Sequence, residues 1–73
     1  MNTYYEITVT WNDKDLLRKG EETVYFDCEC LSIGDKSIAF QQHLPSSDII
    51  TIIHLDCVET YSIRSYKANE RSI

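Results

Sequence analysis

The chain has 73 residues, of which 42% are hydrophobic, and a formal net charge of −5. One domain with one modest core is the limit for this length, because so short a chain buries only roughly 60% of the surface its unfolded form exposes. Acid outnumbers base, and the acidic middle disfavours direct binding to nucleic-acid phosphates, which needs clustered Lys and Arg.

The charge is unevenly spread. Residues 1–19 sum to zero, residues 20–60 carry eight acids against Lys36 alone, and residues 61–73 carry a small positive excess. An acidic middle suits solubility and a basic protein partner. Three cysteines cannot all pair within one chain, so a disulfide framework is not expected and a reducing compartment is. The opening MNTYYEITVTW lacks a basic region and a long apolar run, so no signal peptide is predicted. The run IITIIHL (49–55) is too short to span a bilayer. The expectation is a cytoplasmic protein without a membrane partner.

Period-2 alternation dominates the pattern. In YYEITVTW (4–11), Tyr5, Ile7, Val9 and Trp11 share one face, and Tyr4, Glu6, Thr8 and Thr10 share the other. β-Branched and aromatic residues make this a half-buried strand. NDKDLLRKG (12–20) breaks the alternation. It is expected to form one short helical turn or loop near 13–19, capped by Asn12 or Asp13 and ended by Gly20. Leu16 and Leu17 favour a packed turn, because both need cover.

ETVYFDCECLSI (22–33) reads as the second strand, with Val24, Phe26, Cys28 and Cys30 on one face and Tyr25, Asp27 and Glu29 on the other. The apolar phase flips at Leu31 and Ile33, which predicts a bulge near 30–32 or a change of covered face. Gly34-Asp35-Lys36 follows as a tight turn, with Gly34 free to take positive φ. SIAFQQ (37–42) is the third strand, hairpin partner of the second, with Ile38 and Phe40 inward. HLPSSD (43–48) reads as loop, since Pro45 removes a donor. DIITIIHL (48–55) is apolar on both faces, the profile of a central strand or one covered on both sides. A turn at Asp56-Cys57 leads into a fifth strand through Tyr66, with Tyr61 and Ile63 alternating with Ser62 and Arg64. The fold class expected is mainly β: a small antiparallel sheet of four or five strands, twisted or curled into a partial barrel. The domain spans 1–66, and 67–73 is a frayed polar tail.

Four sets of residues invite a functional reading. Cys28, Cys30, His54 and Cys57 are the residue types of a zinc site. However, Cys-x-Cys on an extended strand spaces the thiols roughly 6.6 Å apart along the chain, a wide bite, and buried free thiols explain them as well. No cofactor is expected, and Asp27 and Glu29 would raise a neighbouring thiol's pKa, against redox chemistry. His54 and Asp56 form a His-x-Asp pair, but no nucleophile elbow or glycine-rich loop accompanies it, so an enzyme is not expected. The acids Glu21, Glu22, Asp27, Glu29 and Asp35 raise the alternative of nucleic-acid mimicry. Tyr4, Glu6, Tyr25, Asp27 and Glu29, on the presumed outward face, are the partner-binding candidates, since Tyr offers contact area at low entropy cost.

In layout the strand YYEITVTW, the hairpin YFDCECLSIGDKSIAF and the late apolar strand leading into VETYSI resemble short all-β accessory proteins of bacteriophages and mobile elements. The resemblance covers most of the chain and transfers no site residue. It implies a small non-enzymatic protein-binding module acting in the host cytoplasm, of the kind that includes inhibitors of host or defence proteins. The surface used is either the Tyr/acid face or a sheet edge, and an edge also permits a homodimer. A Cys/His metal-binding protein is the alternative.

Overall fold

The computed structural model describes residues 3–67. Five antiparallel strands form one open sheet: β1 (Thr3–Trp11), β2 (Glu22–Ile33), β3 (Ser37–Leu44), β4 (Ser47–His54) and β5 (Val58–Lys67). The spatial order is β4-β3-β2-β1-β5. A single 3-10 turn, Leu55–Cys57, joins β4 to β5. Among the described residues no helix is long and apolar enough to cross a membrane.

The alternation of β1 is realised as expected: Ile7, Val9 and Trp11 are buried, and Tyr5 packs beside them. β1 is flanked on both sides, with Ile7 opposite Tyr25 of β2 and Ile63 of β5. Its pairing on two edges makes it the anchor of that half of the sheet.

β2 departs from simple alternation twice. Between Tyr5↔Cys28 and Ile7↔Tyr25, two residues of β2 (Phe26, Asp27) oppose one of β1. Between Glu29↔Gln41 and Ser32↔Ala39, two residues (Cys30, Leu31) oppose one of β3. Each extra residue is a β-bulge, and Asp27 and Cys30 take the left-handed conformation there, with φ of 54° and 53°. A bulge resets which side chains face inward, so the expected face assignment of β2 is corrected. Tyr25 lies inward with its ring 5.1 Å from Phe40. Val24 and Phe26 are exposed, Cys28 is fully buried and Cys30 is exposed. The bulge expected near 30–32 is present; the one at Asp27 is not announced by any loss of apolar phase.

The bulges bend β2, which belongs both to the β5-β1-β2 half and to the β2-β3-β4 half. The two halves curl over a shared core of Ile7, Val9, Trp11, Cys28, Ile38, Phe40 and Ile53. The sheet does not close. β3 and β4 form a regular hairpin through Leu44↔Ser47, with only Pro45 and Ser46 between them. The loop expected at 43–48 is therefore a two-residue turn, and Pro45 suits it because its fixed φ belongs in the first central position.

Residues 12–21 form consecutive turns and no helix. Their bonds run three residues back, from the Asp15 N–H to Asn12 O at 3.3 Å and from the Arg18 N–H to Asp15 O at 3.3 Å. The loop is closed across its base by the Trp11 N–H to Glu21 O and the Gly20 N–H to Trp11 O, both 3.0 Å. Gly20, with φ of 79°, supplies the left-handed residue that ends it. Leu16 and Leu17 project from the tip, 85% and 92% exposed, so the cover expected for them is absent. Gly34 does not take positive φ: its N–H bonds Ser37 O at 2.9 Å within an ordinary turn.

The apolar run of β4 is neither central nor covered on both sides. Among the described residues β4 pairs with β3 alone and is an edge strand. At the far edge, β5 continues one residue beyond the expected domain end: Lys67 is in the strand and donates Nζ to Thr3 Oγ1 at 3.0 Å. The remainder of the expected polar tail, 68–73, lies outside the described residues.

Candidate functional site

Three of the five partner-binding candidates, Tyr4, Glu6 and Asp27, are engaged by two residues of β5, Tyr66 and Arg64. On the outer side of β1, Tyr4 and Glu6 stand opposite Tyr66 and Arg64 of β5. The Tyr4 and Tyr66 rings lie 6.2 Å apart, and Arg64 Nη2 reaches Glu6 Oε1 at 3.2 Å. Tyr66 is buried. Its hydroxyl donates to the Asp27 carboxylate and accepts from the Asp27 N–H at 2.9 Å, clamping the first bulge in place. Tyr25 is absent from this face, being turned into the core. Glu29 sits farther along β2 and pairs with His43. The Tyr/acid set is thus largely engaged within the chain.

The four metal candidates do not converge. Cys28 is in the core, with its Sγ 3.8 Å from Phe26 O, and burial beside Asp27 pushes its thiol pKa up to about 11. Cys30 is exposed at the second bulge, Cys57 is half-buried in the 3-10 turn, and His54 is exposed at the end of β4. Among the described residues no group of three or more His, Cys, Asp or Glu is arranged to hold a metal ion. His54 and Asp56 share no hydrogen bond; the Asp56 carbonyl instead accepts from Asn12 Nδ2 at 2.7 Å. The acids do not form a row either. Glu22 opens β2 and Asp35 follows its end, about 40 Å of extended chain away at about 3.3 Å per residue. Duplex DNA carries a charge every roughly 1.7 Å of axis.

A histidine that the sequence did not single out joins three strands in one polar cluster on the surface. His43 in β3 holds Glu29 of β2 through Nε2 at 2.7 Å and Asp48 of β4 through Nδ1 at 2.7 Å. A neutral imidazole has one N–H, so both contacts are satisfied only by the imidazolium. Hydrogen bonding to Asp48, then its charge and that of Glu29, raises the His43 pKa above its ordinary value. The signal in the sequence was the pair His43 and Asp48 flanking Pro45-Ser46, visible once the turn is known to be two residues long.

The other unpredicted feature is the edge of β4. The strand pairs with β3 over eight consecutive positions without a bulge. Its outer face carries Ile50, 73% exposed, and Ile52, 57% exposed, and its other face adds Ile49 at the rim. Between Asp48 and His54 it has no charged residue. A cleft of about 120 Å³ lies where Thr51–His54 approach Trp11, Arg18, Tyr25 and Cys57. That is smaller than the 300–1,000 Å³ typical of sites for drug-sized ligands. Arg18 caps this end, stacking 3.6 Å over the Trp11 ring while its guanidinium holds Asp15 at 2.7 Å. No protein-family model matches the chain, and no curated protein or solved structure does.

Proposed function

We propose that the protein is a non-enzymatic protein-binding module whose β4 edge takes up an extended strand from a protein partner. The observation that carries this reading is the contrast between its two edges. Native sheets protect an edge with charge, bulges, Pro or shortness. β5 bears Glu59, Arg64 and Lys67 and a register shift at Trp11. β4 has none of these between Asp48 and His54, and exposes two isoleucines beside an unpaired backbone edge. Strand addition supplies main-chain hydrogen bonds for affinity, and alternate side chains for specificity. The net charge of −5 favours approach of a basic partner. Three free cysteines fit a reducing cytoplasm, and the resemblance of the strand layout to phage and mobile-element accessory proteins suits an inhibitor of a host protein.

The test is affinity capture from cells that carry the gene, with three baits: the native chain, Ile50→Lys/Ile52→Lys, and Tyr4→Ala/Glu6→Lys. The expected outcome is a specific partner recovered by the native and Tyr4/Glu6 baits and lost with the β4 bait. Equal recovery by all three would sink the edge reading, and loss only with the Tyr4/Glu6 bait would return the site to the outer face of β1.

A further inference from the structure

We infer that a second copy of this chain occupies the β4 edge, with β4 pairing antiparallel to its own symmetry mate about a two-fold axis at Thr51. This rests on the reading of β4 as an open edge: the second copy covers that edge until a partner strand displaces it.

The register follows from the side chains. In an antiparallel pair, opposed residues point to the same face of the sheet. Ile50, Ile52 and His54 lie on the outer face of β4 with Asp48; Ile49, Thr51 and Ile53 lie on the core side, as the pairs Ile38↔Ile53 and Phe40↔Thr51 establish. Keeping the two cores on one side restricts pairing to even with even and odd with odd positions. Two such registers align most of the strand. Centring on Ile50 sets Asp48 against the partner's Ile52 and Ile49 against the partner's Thr51, mismatching both faces. Centring on Thr51 sets Ile50 against Ile52, Ile49 against Ile53, Thr51 against Thr51 and Asp48 against His54. Apolar meets apolar, hydroxyl meets hydroxyl, and acid meets imidazole at each end, the pairings that stabilise adjacent strands.

The same symmetry explains why association stops at two. A two-fold contact uses each β4 edge once and is closed. The resulting ten-stranded sheet has a β5 at both ends, the edge that carries Glu59, Arg64 and Lys67. Four isoleucines, two from each copy, then form one continuous apolar cluster on the outer face, where each copy alone leaves two exposed.

Sedimentation velocity over a wide concentration range tests the assignment with three proteins, each first checked by circular dichroism for native strand content. The native chain should sediment as a dimer. Ile50→Lys/Ile52→Lys sets lysine against lysine across the axis and should weaken the dimer at least about a hundredfold. Ile50→Glu/Ile52→Lys sets glutamate against lysine in the Thr51-centred register and should restore it. In the Ile50-centred register the same variant opposes glutamate to glutamate on the axis, with lysine against Asp48 on either side. A native chain that is monomeric at every concentration overturns the inference, as does a dimer indifferent to Ile50→Lys/Ile52→Lys or one that the Glu/Lys variant fails to restore. A monomeric native chain that still captures a partner through Ile50 and Ile52 removes only the second copy; a monomer without edge-dependent capture removes the edge reading too.

Discussion

At the scale of single residues, the two left-handed positions in β2 organise the chemistry. Asp27 and Cys30 sit at φ near 54° and 53°, and each turns the following side chain inward. Simple alternation placed Cys28 and Cys30 together because it has no means of counting an inserted residue. The structure buries the first and exposes the second. Thiol labelling of the native protein at neutral pH should therefore modify Cys30 first, and leave Cys28 unmodified until the chain is unfolded; rapid native labelling of Cys28 would contradict its burial and its raised pKa. The first bulge depends on Tyr66, whose hydroxyl both donates to and accepts from Asp27. Tyr66→Phe keeps the ring and removes both bonds, leaving the Asp27 N–H and carboxylate without this partner. The expected cost is about 1–3 kcal/mol in denaturant unfolding, while Tyr4→Phe should change stability by less than about 0.5 kcal/mol. Tyr4, Glu6 and Asp27 were legible as candidates. That Tyr66 and Arg64 engage them was not, because Tyr66 and Asp27 are 39 positions apart and lie on strands separated by β1.

At the scale of elements, all five strands were legible, and their neighbours were less so. β-Branched residues at period 2 announce β1, and Gly34-Asp35-Lys36 announces the β2–β3 hairpin. The apolar run of β4 was ambiguous in kind: an apolar period identifies a strand without saying whether both faces have cover. The hairpin sets β4 beside β3, and its far side is left as an edge because β5 pairs with β1 rather than with β4. The His43 cluster ties three of these elements and makes their association depend on pH. Glu29 and Asp48 hold the imidazolium, so the folded-state pKa of His43 lies above its unfolded value of about 6.5. Below that unfolded value the ring is charged in both states, and the contribution is fully present. It is lost as pH rises through the raised folded value. Melting temperature should accordingly fall from mildly acidic to mildly alkaline pH in the native protein, with a shallower fall in His43→Gln. Identical slopes in the two proteins would show that the contacts to Glu29 and Asp48 contribute nothing in solution, as exposed pairs sometimes do.

At the scale of the whole molecule, a curled sheet must cover its concave side with very few residues. Seven buried side chains form that core, drawn from β1, β2, β3 and β4, so no single hairpin can hold it alone. Phe40 has the largest fully buried side chain and touches both halves through its partner Tyr25. Truncating a buried Phe to Ala costs about 3–5 kcal/mol. A domain below about 70–80 residues rarely draws more than about 3–5 kcal/mol from its core. The two magnitudes are equal, so Phe40→Ala should leave the chain largely unfolded at room temperature, read as loss of the β-sheet circular dichroism signal and of a cooperative thermal transition. Leu17→Ala removes an apolar side chain of similar hydrophobicity from the exposed loop tip, and should leave the transition within about 0.5 kcal/mol of the native one. A Phe40→Ala protein that still melts cooperatively near the native temperature would mean that stability comes from somewhere other than this core, and the β4 edge is where a second copy would supply it. Measuring the same variant at increasing concentration separates the two: a transition that sharpens and rises with concentration belongs to the assembly, and one that does not belongs to the isolated sheet.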